Sequence, residues 1–418
     1  MRKQVKMLLA LLLVLCVAGG CAYLPMLSRM PESTLNEGAP VSQTESTVTI
    51  SREQYERYRQ MDTLLSVMDV VNNYYYKDSD TQTMLDGAAQ GMLLSLQDPY
   101  TFYYSAEDYA NLWEEDEGSY AGVGIQISGS YVTGICTVSR VFTGGPAEAA
   151  GVHKGDILRR VEDVEVDVTT LEQAVDIMRG EVGSTVTVVM DRNGEEITFE
   201  LERANVVVNR VESGMLADGV GYIYLYDFAG DCAVKFETAL QELVDQGARG
   251  LILDLRDNPG GWVKDAVTIA DHFLDEGTVC YLEYKDGSRE YEYSKDGKLS
   301  LPLVVLMNEF SASASEILAG ALQDRADATV VGVQSFGKGV VQFVLPVGDE
   351  GAGMQVTAAQ YFTPNGNAVH TIGITPDVEV ALAEDDNGMY EFGDLSDPQL
   401  NCALEVMQEK LEAQGQAA

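Results

Sequence analysis

The chain has 418 residues, more than one hydrophobic core usually holds, so two or three domains are expected. It carries 27 basic against 66 acidic side chains, a formal charge of -39, which repels phosphate backbones and excludes nucleic acid as a partner. Beyond the first 24 residues the cysteines, at 136, 232, 280 and 402, have no Cys-x-x-Cys spacing, so neither a zinc site nor a redox pair is indicated and buried free thiols are the plainer reading.

At the N-terminus, Arg2, Lys3 and Lys6 precede the apolar run Met7 to Ala18 and then Gly19, Gly20 and Cys21. This is the layout of a signal peptide or membrane anchor over residues 1–24, and it predicts export. The run is short for a spanning helix, which wants about 20 residues. "VAGGC" also loosely resembles a lipoprotein cleavage site, with Ala18 where leucine is usual, so anchor, cleaved signal and acylated Cys21 all stay open. Loss of residues 1–24 removes three basic and no acidic groups, leaving the remainder more acidic still. Residues 25–50, rich in Pro, Ser, Thr and Glu, read as a flexible linker.

From Ser51, a plausible cap, Tyr55, Tyr58, Met61, Leu65, Met68 and Val71 recur every three or four residues, which predicts an amphipathic helix. A second helix is expected over Thr81 to Leu96, ending before "DPYT"; together these fill an N-terminal helical region, 51–117. Residues 118–203 then break into short β-type runs with one embedded helix from Leu171. Their "RNGEE" is a hairpin signal, because Asn-Gly suits a type I′ turn. After Asn205, apolar strands such as "RGLILDL" and "PLVVLMN" alternate with helices such as "CAVKFETALQELVDQG". That alternation predicts an α/β layer with a sheet buried on at least one face, over residues 204–385, before a C-terminal helix and tail, 386–418.

Three serines in "NEFSASASEILAGALQD" sit where a buried strand turns into a helix. Free N–H groups and the positive end of the helix dipole make that location able to stabilise an oxyanion if a hydroxyl there attacks a carbonyl. The bland alternative is that Ser313 and Glu316 form only an S-x-x-E capping box. A serine nucleophile needs a base, and none of the three histidines, His153, His272 and His370, has a defensible partner. Lys338 in "SFGKGVVQ" is the other candidate, since burial depresses a lysine's pKa and yields a neutral amine. If Lys338 enters a strand, Gln342 projects from the same face and could orient it. Gly332 to Lys338 mimics a phosphate loop, but Gly339 stands where Ser or Thr is required and the following pattern is β. The Pro-Gly-Gly of "LILDLRDNPGG" has bare N–H groups able to serve as an oxyanion donor, or is an ordinary turn.

In this order, "DLRDNPGG", "NEFSASASEILAGALQD", "SFGKGVVQ" and "YFTPNGNAVHTIGITPD" resemble the motifs of carboxyl-terminal processing peptidases, also called tail-specific proteases, over roughly residues 55 to 405. The resemblance implies a multidomain α+β chain: an N-terminal helical segment, a β-barrel-like PDZ module and an α/β spiral-sheet (crotonase-like) protease core. It places the nucleophile on Ser313, the general base on Lys338, the supporting glutamine on Gln342, and the oxyanion donors on the amides of Gly261 and Ala314. Ser311 and Ser315 are then left as turn and cap residues. "YAGVGIQI" and "GGPAEAAGVHKGDIL" resemble a PDZ domain, in which Gly122, Val123, Gly124 and Ile125 would hold a terminal carboxylate while the peptide adds to the sheet edge. The implied activity is serine endopeptidase cleavage of proteins with apolar C-termini in the cell envelope, with no metal or organic cofactor and a possible homodimer. An arginine common near Asn367 is absent, which touches a peripheral contact only. A non-catalytic envelope adaptor that binds peptide tails, and an acyl-CoA enzyme of related core fold, are the rival classes.

Overall fold

The computed structural model describes residues 49–116, 119–129, 133–295, 298–349, 351–383 and 390–417. The expected export segment, residues 25–48 of the linker and the boundary at Gly118 lie outside the described residues. The chain forms two compact units, divided between Ser79 and Asp80.

The first unit holds α1 (Arg52–Gln60) and α2 (Asp62–Tyr74), no residue of which is buried. Ser51 caps α1 in an extended conformation: its Oγ accepts from Gln54 N–H at 3.1 Å, and Gln54 Oε1 accepts from Ser51 N–H at 2.9 Å. This is a reciprocal capping box. The single helix expected from Ser51 is divided at Met61, which ends α1 and caps α2. Apolar spacing runs straight through that break and does not reveal it.

The second unit begins with α3 (Thr81–Leu94), where Asp80 Oδ2 accepts the Thr83 N–H at 2.7 Å. Residues Asp98 to Thr101 lead to β1 (Phe102–Tyr104) and α4 (Ala106–Asp116). Next come β2 (Ser119–Gly122), β3 (Ile125–Gly129), β4 (Cys136–Val141), α5 (Pro146–Ala149), β5 (Ile157–Val161) and β6 (Val164–Glu165). The module closes with α6 (Leu171–Met178), β7 (Thr185–Arg192), β8 (Glu195–Glu202) and β9 (Ala204–Val207). Its sheet runs β3-β4-β5-β7-β8, with β6 beside β5, while β2 pairs with β9. Asn193 (φ 56°) and Gly194 (φ 86°) are both left-handed, as a type I′ turn between β7 and β8 demands. Val138, Val188 and Met190 pack with Ala174 and Met178 of α6 to form this module's own core.

The remaining elements are β10 (Val211–Met215), β11 (Val220–Leu225), α7 (Cys232–Asp245), β12 (Gly250–Asp254), α8 (Val263–Asp271), β13 (Gly277–Tyr284) and β14 (Arg289–Ser294). They continue with β15 (Leu303–Met307), α9 (Ala314–Arg325), β16 (Thr329–Gly332), β17 (Val340–Val347), β18 (Ala352–Phe362), β19 (Val378–Glu379) and α10 (Pro398–Ala417). One sheet has the order β10-β11-β12-β15-β16-β19 and is parallel from β11 onward. Side chains alternate across it. Leu251 and Leu253 join the helices α7, α8 and α9 on one face, and Ile252 meets Leu400, Leu404 and Met407 of α10 on the other. Burial on both faces is why "GLILD" and "LVVLM" are apolar almost without interruption. A second sheet, antiparallel and ordered β1-β18-β13-β14 with β17 beside β18, lies outside the alternation read from sequence.

Candidate active site

β12, β15 and β16 are adjacent and parallel, so the loops that follow them emerge at the same sheet edge. Ligands of open α/β sheets bind at that edge. The three loops are 255–262, with its Pro-Gly-Gly turn; 308–313, which feeds α9; and 333–339, which carries Lys338.

The buried Asn258 ties the first loop to the second. Its Nδ2 donates to Leu225 O at 2.7 Å, and its Oδ1 accepts from Gly260 N–H at 2.9 Å. Its carbonyl accepts from Ala312 N–H and from Ser315 Oγ, both at 3.0 Å. Gly260 (φ 99°) lies directly against the loop 308–313: an added Cβ would sit 2.8 Å from Ser313 Cβ and 2.8 Å from Ala314 N. At Gly261 (φ 142°) it would meet Phe228 O at 2.2 Å. Both positions therefore require glycine. Phe228 bonds to the residues on either side, to Gly260 O at 2.9 Å and Trp262 N at 2.7 Å. The N–H groups of Gly261 and Ala314 donate no hydrogen bond to another described residue.

The three serines have separate fates. Ser311 is buried, donating to Leu255 O at 2.7 Å and accepting from Asn308 N–H at 2.9 Å. Ser315 is buried on Asn258 O, so it fastens the two loops and does not act as a cap. Ser313 is half-buried and is the N-cap of α9, with φ 56° and ψ -115°. Such backbone costs of order 1–3 kcal/mol and persists only where its surroundings hold it.

What holds it is Glu316, which is fully buried. Its Oε2 accepts from Ser313 N–H at 2.8 Å, Lys338 N–H at 3.0 Å and Tyr361 OH at 3.2 Å. Its Oε1 accepts from Ser335 Oγ at 2.6 Å and Gly337 N–H at 2.7 Å. Tyr361 also donates to Ser313 O at 3.1 Å, and burial first, then Glu316, pushes its phenol pKa well up.

Lys338 is placed differently from the sequence reading. β17 begins at Val340, so Lys338 lies in a loop, and the β17–β18 register slips between Val341 and Gln342. The cause is local: Gly337 is left-handed (φ 86°), and Gly339 packs so tightly on His370 that an added Cβ would fall 2.0 Å from its backbone N. The period-two argument pairing Lys338 with Gln342 therefore does not apply. Gln342 Nε2 faces Thr357 Oγ1 at 3.4 Å, and no hydrogen bond links Lys338 Nζ to Gln342 or to Ser313 among the described residues. Nζ instead rests 4.9 Å from the centre of the Tyr100 ring. Burial lowers the Lys338 pKa, opposed by the negative charges of Glu316 and Asp98. Burial pushes Asp98 up, but hydrogen bonds from Thr101, Thr357 and the Tyr100 amide outweigh it and hold the carboxylate below its usual range. Sequence reasoning assigns no role to Asp98, Tyr100 or Tyr361: "DPYT" reads there as a helix stop, and Tyr361 only opens the quoted "YFTPNGNAVHTIGITPD".

In the β module, Gly122 ends β2, and the carbonyls of Val123 and Gly124 accept from Ala147 N–H at 2.9 Å and Phe142 N–H at 3.0 Å. Gly124 is left-handed (φ 83°), and Ile125 opens β3, the outermost strand of its sheet. Among the described residues no cluster of His, Cys, Asp and Glu is suited to hold a metal.

Residues 219–380 match peptidase family S41, residues 114–191 match the PDZ domain, and residues 15–108 match the N-terminal domain of the activating protease CtpB. The chain is 34% identical over 382 residues to a carboxy-terminal-processing protease of Bartonella bacilliformis, covering 89% of this chain and 86% of the relative. It is 33% identical over 343 residues to the carboxy-terminal processing protease CtpA of Bacillus subtilis, covering 80% and 73%. The solved photosystem II D1 C-terminal processing protease superposes with a TM-score of 0.56 at 30% identity, over 79% of this chain and 94% of that one. With its helical N-terminal part, its PDZ module and its parallel-sheet core, the chain belongs to peptidase family S41, as a carboxy-terminal processing serine protease.

Proposed function

We propose that Ser313 is the nucleophile of this protease, Lys338 its general base, Gln342 the residue that steadies the lysine, and Gly261 and Ala314 the oxyanion donors. One observation carries the reading: the main-chain N–H groups of Ser313 and Lys338 converge on a single oxygen of the buried Glu316. Beside them the N–H groups of Gly261 and Ala314 donate to no described residue.

Lys338 Nζ turns from Tyr100 towards Ser313 on substrate binding, because catalytic hydrogen bonds commonly tighten only in the complex. It takes the Oγ proton as Oγ bonds to the substrate carbonyl carbon; burial favours the neutral amine that this step needs. The developing charge on the carbonyl oxygen is met by the two amides. Collapse breaks the C–N bond, the lysine proton passes to the departing amine, and an acyl-serine remains. Water, losing its proton to the same lysine, then attacks that ester; as the C–Oγ bond breaks, the lysine returns the proton to Oγ, freeing the acid and Ser313.

The substrate enters as an apolar C-terminal tail. Among the described residues β3 pairs only with β4 and so offers an edge for strand addition, and the Gly122–Ile125 loop meets the terminal carboxylate. The apolar cluster joining Ile125 to Ala174 and Met178 suits apolar side chains, and the relatives' carboxy-terminal processing agrees with it. The basic and apolar N-terminus favours work on the outer side of the cell membrane, anchored or secreted. Exposed Tyr55, Tyr58, Leu65, Val67 and Val70, on helices that bury nothing, favour a homodimer.

The test is the intact chain in detergent, as wild type, Ser313→Ala and Lys338→Ala, given an unfolded protein with an apolar C-terminus and its amidated form. Mass spectrometry of fragments should show cleavage by wild type alone and a loss of about 1,000-fold or more in each variant. Tail binding without cleavage by all three forms would support the adaptor instead, and an active Lys338→Ala would remove the base assignment.

A further inference from the structure

Glu316 sits at the third position of α9, where a carboxylate capping the Ser313 amide would be ordinary. Capping accounts for only one of its five donors. The others come from 19 to 45 residues away in sequence: the Ser335 hydroxyl, the Gly337 and Lys338 amides, and the Tyr361 hydroxyl. Removing a carboxylate entirely from water is expensive, and a cap at the surface would avoid that cost. The α1 cap does so with the exposed Gln54.

We propose that Glu316 is a positioning residue of the peptidase site, fixing the main chains of Ser313 and Lys338 on one oxygen and placing a negative charge beside the lysine. This rests on the reading of Ser313 and Lys338 as nucleophile and base. Two consequences separate it from a cap. First, the φ 56° backbone of Ser313 and the Lys338 loop share a common anchor, so a shift of the carboxylate displaces both reacting groups together. Second, the charge opposes the effect of burial on the lysine amine.

The titratable groups around the lysine are Glu316 on α9, Asp98 and Tyr100 ahead of β1, Tyr361 on β18, and His370 in the loop after β18, which acts on Asp98. Of the two carboxylates acting on the lysine, Glu316 has the larger effect. The sign follows. Lys338 must be neutral to accept a proton, so activity rises with pH through its titration; loss of the Glu316 charge lowers the lysine pKa and moves the acid limb to lower pH.

The experiment measures kcat and KM on a peptide with an apolar C-terminus for intact wild type, Glu316→Gln, Glu316→Asp and Tyr361→Phe. In a Ser313→Ala background, the Lys338 titration midpoint is read by competitive acetic anhydride labelling across pH. Glu316→Gln should lower kcat about 100-fold with KM little changed, and drop the midpoint by about one unit. Glu316→Asp keeps the charge but is too short for all five donors, so kcat falls while the midpoint stays near that of wild type. Tyr361→Phe should lower kcat about tenfold with the midpoint unmoved.

If Glu316→Gln fails to fold, the other two variants decide, and wild-type kcat in both overturns the proposal. Lowered thermal stability with kcat and midpoint unchanged would reduce Glu316 to a cap and also overturn it. Should Lys338→Ala keep the wild-type rate, the base assignment falls first; if that variant is inert while the Glu316 variants behave as wild type, only this inference fails.

Discussion

The chain contains two capping boxes of the same Ser-x-x-Gln/Glu pattern, Ser51-Arg52-Glu53-Gln54 and Ser313-Ala314-Ser315-Glu316. In the first, Ser51 and Gln54 are exposed, and the side chain of each bonds the other's amide and no further described residue. In the second, the cap residue is left-handed, its partner is fully buried, and four further donors reach the same carboxylate, three from the loop 333–339 and one from Tyr361 on β18, which adjoin α9 only in the fold. Local pattern fixes a helix start in both. The difference lies in the parallel sheet, which brings three loop ends to one place around the second box and none around the first. A motif thus acquires chemistry from what converges on it.

The comparison breaks most completely if the convergence itself is disturbed. Among changes outside Ser313 and Lys338, Gly261→Ala should be the most damaging, because its Cβ would lie 2.2 Å from Phe228 O at a φ of 142°. Relief requires the turn to move away from Phe228, carrying the Gly261 amide with it. We expect kcat to fall at least 100-fold, with a clear loss of thermal stability, measured by peptide cleavage and calorimetry. Wild-type kcat in this variant would show that the turn takes no part in the reaction. Asn258→Ala should follow. It strands the Leu225 carbonyl and the Gly260 amide, each previously paired with the buried side chain, at roughly 2–4 kcal/mol in all. Chemical denaturation reads that cost, and a kcat loss of about tenfold is expected as the turn loosens.

Much of this was legible in sequence, and what was not has a physical cause. The Asn-Gly turn, the α/β alternation and the position of α9 follow from local backbone preference and apolar period, and they stand as read. The β texture of "GVVQFVL" suggests that Lys338 enters a strand, but Gly337 and Gly339 hold it in the loop before β17, Gly339 against His370. Glu316 was read as a cap, since its other donors are invisible until β16 and β18 are placed. Tyr100 reaches the lysine only because β1 pairs with β18, a contact spanning about 250 residues that no local pattern encodes. The sheet of β13, β14 and β18 is outside the reading because, although β13 and β14 form a local hairpin, β13 meets β18 through a distant pairing, Tyr281 opposite Phe362.

The smallest effect belongs to the first box and is its sharpest test. Ser51→Ala removes one acceptor at an exposed helix start and leaves the Gln54 amide to water, which costs about 1 kcal/mol of helix stability. Gln54→Ala removes the return bond to the Ser51 amide and should cost less, because that amide is also exposed. Hydrogen exchange of the α1 amides should accelerate about fivefold in Ser51→Ala, by the Boltzmann factor of that loss, and be confined to the first turns. Peptide cleavage should be indistinguishable from wild type in both variants. A drop in kcat would mean that this box, too, is read by something beyond its own helix, and the contrast between the two would then be one of degree.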